Sequence, residues 1–439
     1  MDDTFFPLPP TEPAESEELA PGRPRLQRPN RGQVELRSVD LDGLLPADHR
    51  ARLVWAFVEG LDLAPLYERI RAIEGHPGRP PIDPAILTAL WLYATLDGVG
   101  SARALDRLCA EHDAYRWLCG GVGVNYHTLA AFRVEHAGVL DALLTESVAA
   151  LLADGLVTLA TVAQDGMRVR ASAGAASYRR RSTLERFLAE AEAQVDALRA
   201  ELDDDPAATS RRVAVARERA ATERAERVRR ALDHLPELEA AKRRAGKPAD
   251  EARASTTDPE ATVMKMADGG YRPAYNVQFA ADTTSQVIVG LDVATAGTDH
   301  GQLGPMVRQL HGRYGRDPDA LLADAGFLTT AEINELACGT TLYLPVRKPA
   351  DPIRDPHQPL PDDSPAVAAW RVRMGTAEAR ELYKDRAATA ECVNAIARNR
   401  GLQRFGVRGP AKARAIALWF ALAHNLMRTL VLRAVPAAS

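Results

Sequence analysis

The chain has 439 residues, 46% of them hydrophobic and 26% charged, a length that suits two to four domains of roughly 100–200 residues each. That balance excludes wholesale disorder, collagen-like repeats and a membrane bundle. A formal net charge of −4 advertises no anionic partner globally, so any such partner must be read from local clusters.

Residues 1–46 hold eight prolines and an acidic cluster, which predicts a flexible leader. Met1 to Ala20 carries no Lys or Arg, the opposite of a secretory or mitochondrial signal. Residues 47–155 read as an all-α domain. Its clearest helix start is Asp83-Pro84, an N-cap with proline at the first helical position, and further starts fall at Ser101 and Asn125. Val157 to Ala163 reads as a buried strand running into an acidic turn, Gln164-Asp165-Gly166. Residues 179–247 carry 17 basic and 14 acidic side chains and predict two long helices in a hairpin, broken at Asp203 to Pro206.

Strand patterns resume at Tyr275–Ala281 and Gln286–Val293, joined by the polar loop Asp282 to Ser285. A helix at 301–314, a strand at 320–323, a helix at 330–337 and a strand at 341–346 follow. A proline-rich loop then leads to helices over 376–399 and 411–432. The longest apolar run, Ala415 to Ala423, is too short to span a bilayer and predicts a buried helix. The fold expected over 156–433 is therefore an α/β core, a mixed sheet flanked by helices and interrupted by the hairpin.

Four cysteines without CxxC spacing support neither a disulfide framework nor a thiolate zinc site and suit a reducing cytoplasm. No GxxxxGK[ST], HExxH, GxSxG or strand-borne GxGxxG motif is present. What remains is a set of carboxylates. Asp165 and Asp324 stand where strands end, each beside small residues that let an ion approach. Glu391 shares a helical stripe with Lys384 and Arg398, seven residues away on either side. It lies in a tract, 371–433, with 13 basic and four acidic residues. Three hard oxygen ligands favour Mg²⁺, with Mn²⁺ as substitute. Two such ions roughly 3.5–4 Å apart would serve in-line attack on a phosphodiester.

These residues resemble the bacterial insertion-sequence transposases of the DDE type, whose catalytic core is ribonuclease-H-like. The resemblance spans about residues 35–433. It rests on Gly78 to Pro84, Tyr115 to Gly121 and Asn125 to Thr128 in the helical part. In the core it rests on Gln164-Asp165-Gly166, Ser255 to Pro259, Tyr275 to Gln278, Ala323 to Phe327, and Tyr383, Arg386 and Glu391. It implies that Asp165, Asp324 and Glu391 are the metal-binding catalytic triad and that 179–247 is an insertion beside the first core strand. Many relatives place the Glu four residues after the Arg, whereas here position 390 is alanine, so Glu381 stays in reserve.

Tyr383, Lys384, Arg386 and Arg398 are expected to meet DNA phosphates, as are Arg179, Arg180 and Arg181 at the mouth of the insertion. The helices starting at Ser101 and Asn125 have helix-turn-helix proportions, which would let Tyr126, His127, Thr128 and Arg133 read DNA. Asp299 either caps the following helix or joins the site. The expected partners are double-stranded DNA, as terminal repeats and as target, and a second copy in a homodimer; no membrane is expected. The alternatives are an inactive copy acting as a DNA-end-binding repressor and a structure-specific nuclease without strand transfer.

Overall fold

A computed structural model describes residues 40–72, 80–204, 211–244, 246–349 and 353–434. The leader up to residue 39, Gly78-Arg79 and Asp205-Pro206 lie outside the described residues.

The N-terminal part is all helical: α1 (Arg50–Glu59), α2 (Ala64–Tyr67), α3 (Pro84–Leu96), α4 (Ala102–Glu111), α5 (Asp113–Cys119), α6 (Tyr126–Glu135) and α7 (Ala137–Ala153). Asp83 caps α3 by accepting from the Ala85 amide at 2.8 Å. Twelve of the 13 residues of α3 are buried, which makes it the hub of this unit. The segment between the Ser101 and Asn125 starts is not a bare linker, because His112 caps a further helix, α5, inside it.

The sheet begins with β1 (Thr161–Arg170), which does not stop at Asp165 as the sequence suggested but runs five residues past it. A small strand β2 (Tyr178–Arg179) leads into α8 (Arg181–Asp204) and α9 (Arg211–Arg244), and β3 (Ala254–Ser255) pairs with β2 on the return. The two long helices lie antiparallel. Arg181 pairs with Glu239, Arg229 with Glu192, and Arg199 with Glu218. Next come β4 (Thr262–Lys265), β5 (Tyr271–Asp282), β6 (Ile288–Ala294), α10 (Leu303–Tyr314), β7 (Ala320–Leu322), α11 (Thr330–Leu336) and β8 (Thr341–Tyr343). The sequence reading missed β2, β3 and β4, the first two because a two-residue strand carries almost no periodicity.

The expected proline-rich loop contains α12 (Pro365–Met374), capped by Ser364 and anchored through Trp370, whose indole donates to the Leu344 carbonyl at 3.1 Å. The helix expected over 376–399 is divided. α13 (Ala377–Arg386) passes through a π turn, Ala387–Glu391, into α14 (Cys392–Asn399). Last is α15 (Pro410–Ala434), the one described helix long and apolar enough to cross a bilayer, with 67% of its apolar window buried inside the protein.

The six-stranded sheet runs β4-β5-β1-β7-β8, with β6 sharing the β4 edge of β5. β1 is antiparallel to β5 and parallel to β7, and β7 is parallel to β8. Setting β4 aside, the strands β6, β5, β1, β7 and β8 stand in the order third, second, first, fourth, fifth. That is the mixed ribonuclease-H-like arrangement expected from the sequence. α15 closes the edge strand: Asn425 accepts from the Ile288 amide and donates to its carbonyl, both at 2.8 Å. Asp141 of α7 joins the helical unit to the core by receiving Arg313 at 2.5 Å and Arg414 at 2.9 Å.

Candidate active site

The parallel pairing of β1 with β7 sets the site. Ala163 lies opposite Leu322, and two residues beyond each come Asp165 and Asp324. Equal steps from one register place both carboxylates at the carboxyl end of the parallel pair, where open α/β sheets gather ligands. Asp165 Oδ1 accepts from the Gly166 amide at 2.8 Å, and its Oδ2 accepts from Asn394 Nδ2 at 2.9 Å. Asp324 Oδ1 accepts from the Gly326 amide at 2.7 Å. Burial first, and then the charge of Asp324, push the Asp165 pKa up to about 6, against the opposing pull of Arg386.

The helix facing this pair is shaped by its π turn. A turn closed between residues five apart brings Arg386 to Glu391, at 3.1 Å, where an α turn would match Arg386 with Ala390. The additional residue between Arg and Glu is thereby absorbed. Ala390 instead packs against Ala163 and Leu322. The stripe in which Lys384 and Arg398 flank Glu391 does not form, because the π turn changes the phase of the helix. Lys384 pairs with Glu381 at 2.5 Å on an exposed surface. Glu391 is 62% exposed, and among the described residues no three acidic, imidazole or thiol side chains converge closely enough to hold a metal. Tyr383 donates its hydroxyl to the Ala323 carbonyl at 3.2 Å, and Arg386 lies over its ring. Both side chains therefore brace the strand end that carries Asp324.

Asp299 takes neither expected role. It lies on the opposite face of β1, which follows from the alternation of side chains along a strand. Its Oδ1 accepts from Asn276 at 2.6 Å and from Gln278 at 2.9 Å, and its Oδ2 accepts from Arg168 at 3.1 Å. A Cβ at position 166 would overlap Asp299 Oδ1 and stand 2.6 Å from Gln278 Nε2, so the glycine after Asp165 clears space for this network. The cap on α10 comes from Glu332. Its carboxylate accepts from the amides of Leu303 and Gly304 at 2.9 and 3.1 Å and from that of Gly301 at 3.1 Å.

The remaining expected DNA contacts are scattered. Arg133 is turned inward, stacked over Trp91 at 4.4 Å and bonded to the Gly100 carbonyl, so it does not project from α6 as a reading residue. Tyr126 and His127 stack on each other at 3.9 Å, with Arg103 over Tyr126. Arg179 donates to the Tyr178 carbonyl at 3.0 Å, and Arg181 is held by Glu239. Arg180 lines a hollow of about 710 Å³ at the hairpin base, with Lys242, Lys247 and Arg253. Arg398 lines a groove of about 670 Å³ along the C-terminal half of β1, with Arg168, Arg170, Lys265 and Arg272. The sequence reading overlooked Asn394, Arg170, Lys265 and Arg272. Arg168 and Arg170 share a strand face by their spacing of two, a signal that was available.

A mixed sheet of this order, with a helical unit before it and two carboxylates at its parallel strand ends, defines the ribonuclease-H-like class. Two family models match within the chain, one described as Transposase domain (DUF772) over residues 39–135 and one as Transposase DDE domain over residues 360–430. Together the two matches support an insertion-sequence transposase of the DDE type. No curated protein and no solved structure matches it.

Proposed function

We propose that this transposase binds the terminal inverted repeats of its element, cleaves the DNA with divalent metal and joins the freed 3′ hydroxyl to a target phosphodiester. The observation that carries the reading is the register-matched pair Asp165 and Asp324, whose mutual repulsion and burial call for a cation. In this reading 47–155 is the DNA-recognising helical domain, 156–433 the catalytic core, and 179–247 an insertion within it.

The donors suit a hard divalent ion. Asp165 and Asp324 offer carboxylate oxygens, and Asn394 Oδ1 is buried with no hydrogen-bond partner. Asp165 and Asp324 would hold Mg²⁺ or Mn²⁺, with Glu391 as the third acid of this reading, and the bound ion would supply Lewis-acid stabilisation of the attacking and leaving oxygens. Asn394 fixes the orientation of Asp165 through its Oδ2. Arg386 offsets the charge of Asp165 and tethers Glu391. Arg398, with Arg168, Arg170, Lys265 and Arg272 along the groove, offers a cationic track for the duplex backbone; Arg180 in the hollow at the hairpin base and Lys384 on its exposed helix face are further cations for phosphates in this reading. Two element ends are joined in one event, so the active species in this reading is a homodimer.

The splayed position of Glu391 favours one rival, a copy that binds ends without cutting them. Incubation of a labelled terminal-repeat duplex with the protein, in Mg²⁺ or EDTA, separates the two. Metal-dependent nicking followed by strand-transfer products supports the transposition reading. Binding without nicking in either condition replaces it with the repressor, and nicking without joined products with a nuclease.

A further inference from the structure

Away from the carboxylates, the helical unit meets the segment after α14 at a cavity of about 50 Å³. Two loops cross there, 98–100 and 400–402. Gly98 and Gly401 have φ of +72° and +90°, and a Cβ on Gly401 would stand 3.5 Å from the Gly98 carbonyl oxygen. Glycine at both positions lets the two backbones touch.

Three arginines, Arg133, Arg400 and Arg404, line this cavity, and no carboxylate does. Arg133 Nε and Arg400 Nη1 are buried without any hydrogen-bond partner. Burial pulls the Arg133 pKa down to about 10, and burial together with nearby Arg50 lowers that of Arg400. Asp97, just before Gly98, is already engaged by Arg50 and by the Tyr115 hydroxyl. Guanidinium donors withdrawn from water and left unpaired are costly, and their planar fork matches the oxygens of a phosphate. One water needs roughly 10–15 Å³ of such space, so the cavity has room for a small polyatomic ion.

We propose that this cavity is an oxyanion site that takes a phosphate group on Arg133, Arg400 and Arg404 and so ties the helical unit to the C-terminal segment. The site is separate from the carboxylate pair and needs no divalent metal. Two sources supply the chemistry, inorganic phosphate and a phosphodiester of bound duplex.

The test is calorimetric titration of inorganic phosphate into the full-length, metal-free protein, with chloride at matched ionic strength as control. Saturable binding at one site per chain, weakened at least tenfold by Arg400→Gln, is the expected result. If Arg400→Gln fails to fold by circular dichroism, the more exposed Arg404→Gln takes its place with the same expectation. Absence of phosphate-specific heat, or undiminished binding in the folded variant, overturns the proposal. Repeating the titration with saturating duplex identifies the source. Phosphate heat abolished by duplex, with duplex binding weakened by Arg404→Gln, assigns the site to DNA; heat that persists assigns it to the free ion. Failure here leaves the metal-dependent cleavage assay unaffected.

Discussion

Asp299 lies over Gly166 on the face of β1 opposite Asp165, so that a single hydrogen at Gly166 separates the strand from a buried carboxylate network. Gly166→Ala should therefore destabilise the protein by about 1–3 kcal/mol, the usual cost of overpacking. Urea unfolding of the two proteins at pH 7.5 measures this, and equal midpoints would show that the network yields without cost.

Asp324→Asn and Glu391→Gln should each lower metal-dependent cleavage by at least about 10³-fold, the scale of losing several kcal/mol of transition-state stabilisation. Duplex affinity should stay within about threefold of the parent. Glu381→Gln, which removes only an exposed partner of Lys384, should cleave at the parent rate. Single-turnover nicking and gel-shift titrations read both quantities. Full loss in Glu381→Gln with activity retained in Glu391→Gln would transfer the third-acid role.

The Asp165 carboxyl titrates near pH 6 in the metal-free fold, above its ordinary value of 3.8. The folded state thus holds this proton more tightly than the unfolded chain. The associated stability is fully present below about pH 4 and is lost as pH rises through 6. Asp165→Asn should remove that loss and stabilise the metal-free protein at pH 7.5 by on the order of 2–3 kcal/mol. Denaturant midpoints between pH 4.5 and 7.5 check the slope. A variant no more stable than its parent at pH 7.5 would refute the assignment of strain to this carboxyl.

Glu332 serves two helix starts. It accepts from three amides at the beginning of α10 and from the Thr329 hydroxyl at the beginning of α11. Glu332→Ala should cost about 2–4 kcal/mol, on the scale of two lost caps. Hydrogen exchange at the Gly301, Leu303 and Gly304 amides should rise in step, and unchanged protection would show that another acceptor replaces it.

Much of this was legible beforehand because long elements repeat their pattern. Asp83-Pro84, the hairpin charges and the apolar run in α15 each announce a local structure that tertiary packing then keeps. The parallel placement of Asp165 and Asp324 was legible too, since both follow short apolar runs. The course of β1 past Asp165 was not, because Asp-Gly reads as a turn unless one knows that Asp299 arrives from the far side. Nor was the π turn. A single residue more between Arg386 and Glu391 looks like a broken motif in sequence, whereas in space it is a wider loop of helix that returns the two side chains to contact. Arg133 was misplaced because helical position alone does not tell an outward arginine from one lying on Trp91.

The two-residue ladder in which Tyr178 meets Ser255 and Arg179 meets Ala254 also bears on how the chain reaches its native state. β1 must find β5, pairing Val169 with Tyr275 across the whole of α8 and α9. Closing so long a stretch as random coil is entropically unfavourable. The contacts within the helical pair are local in sequence and can form first. Once they do, the ladder brings the two ends of the detour side by side, and the search for the central strand pairing becomes a short one.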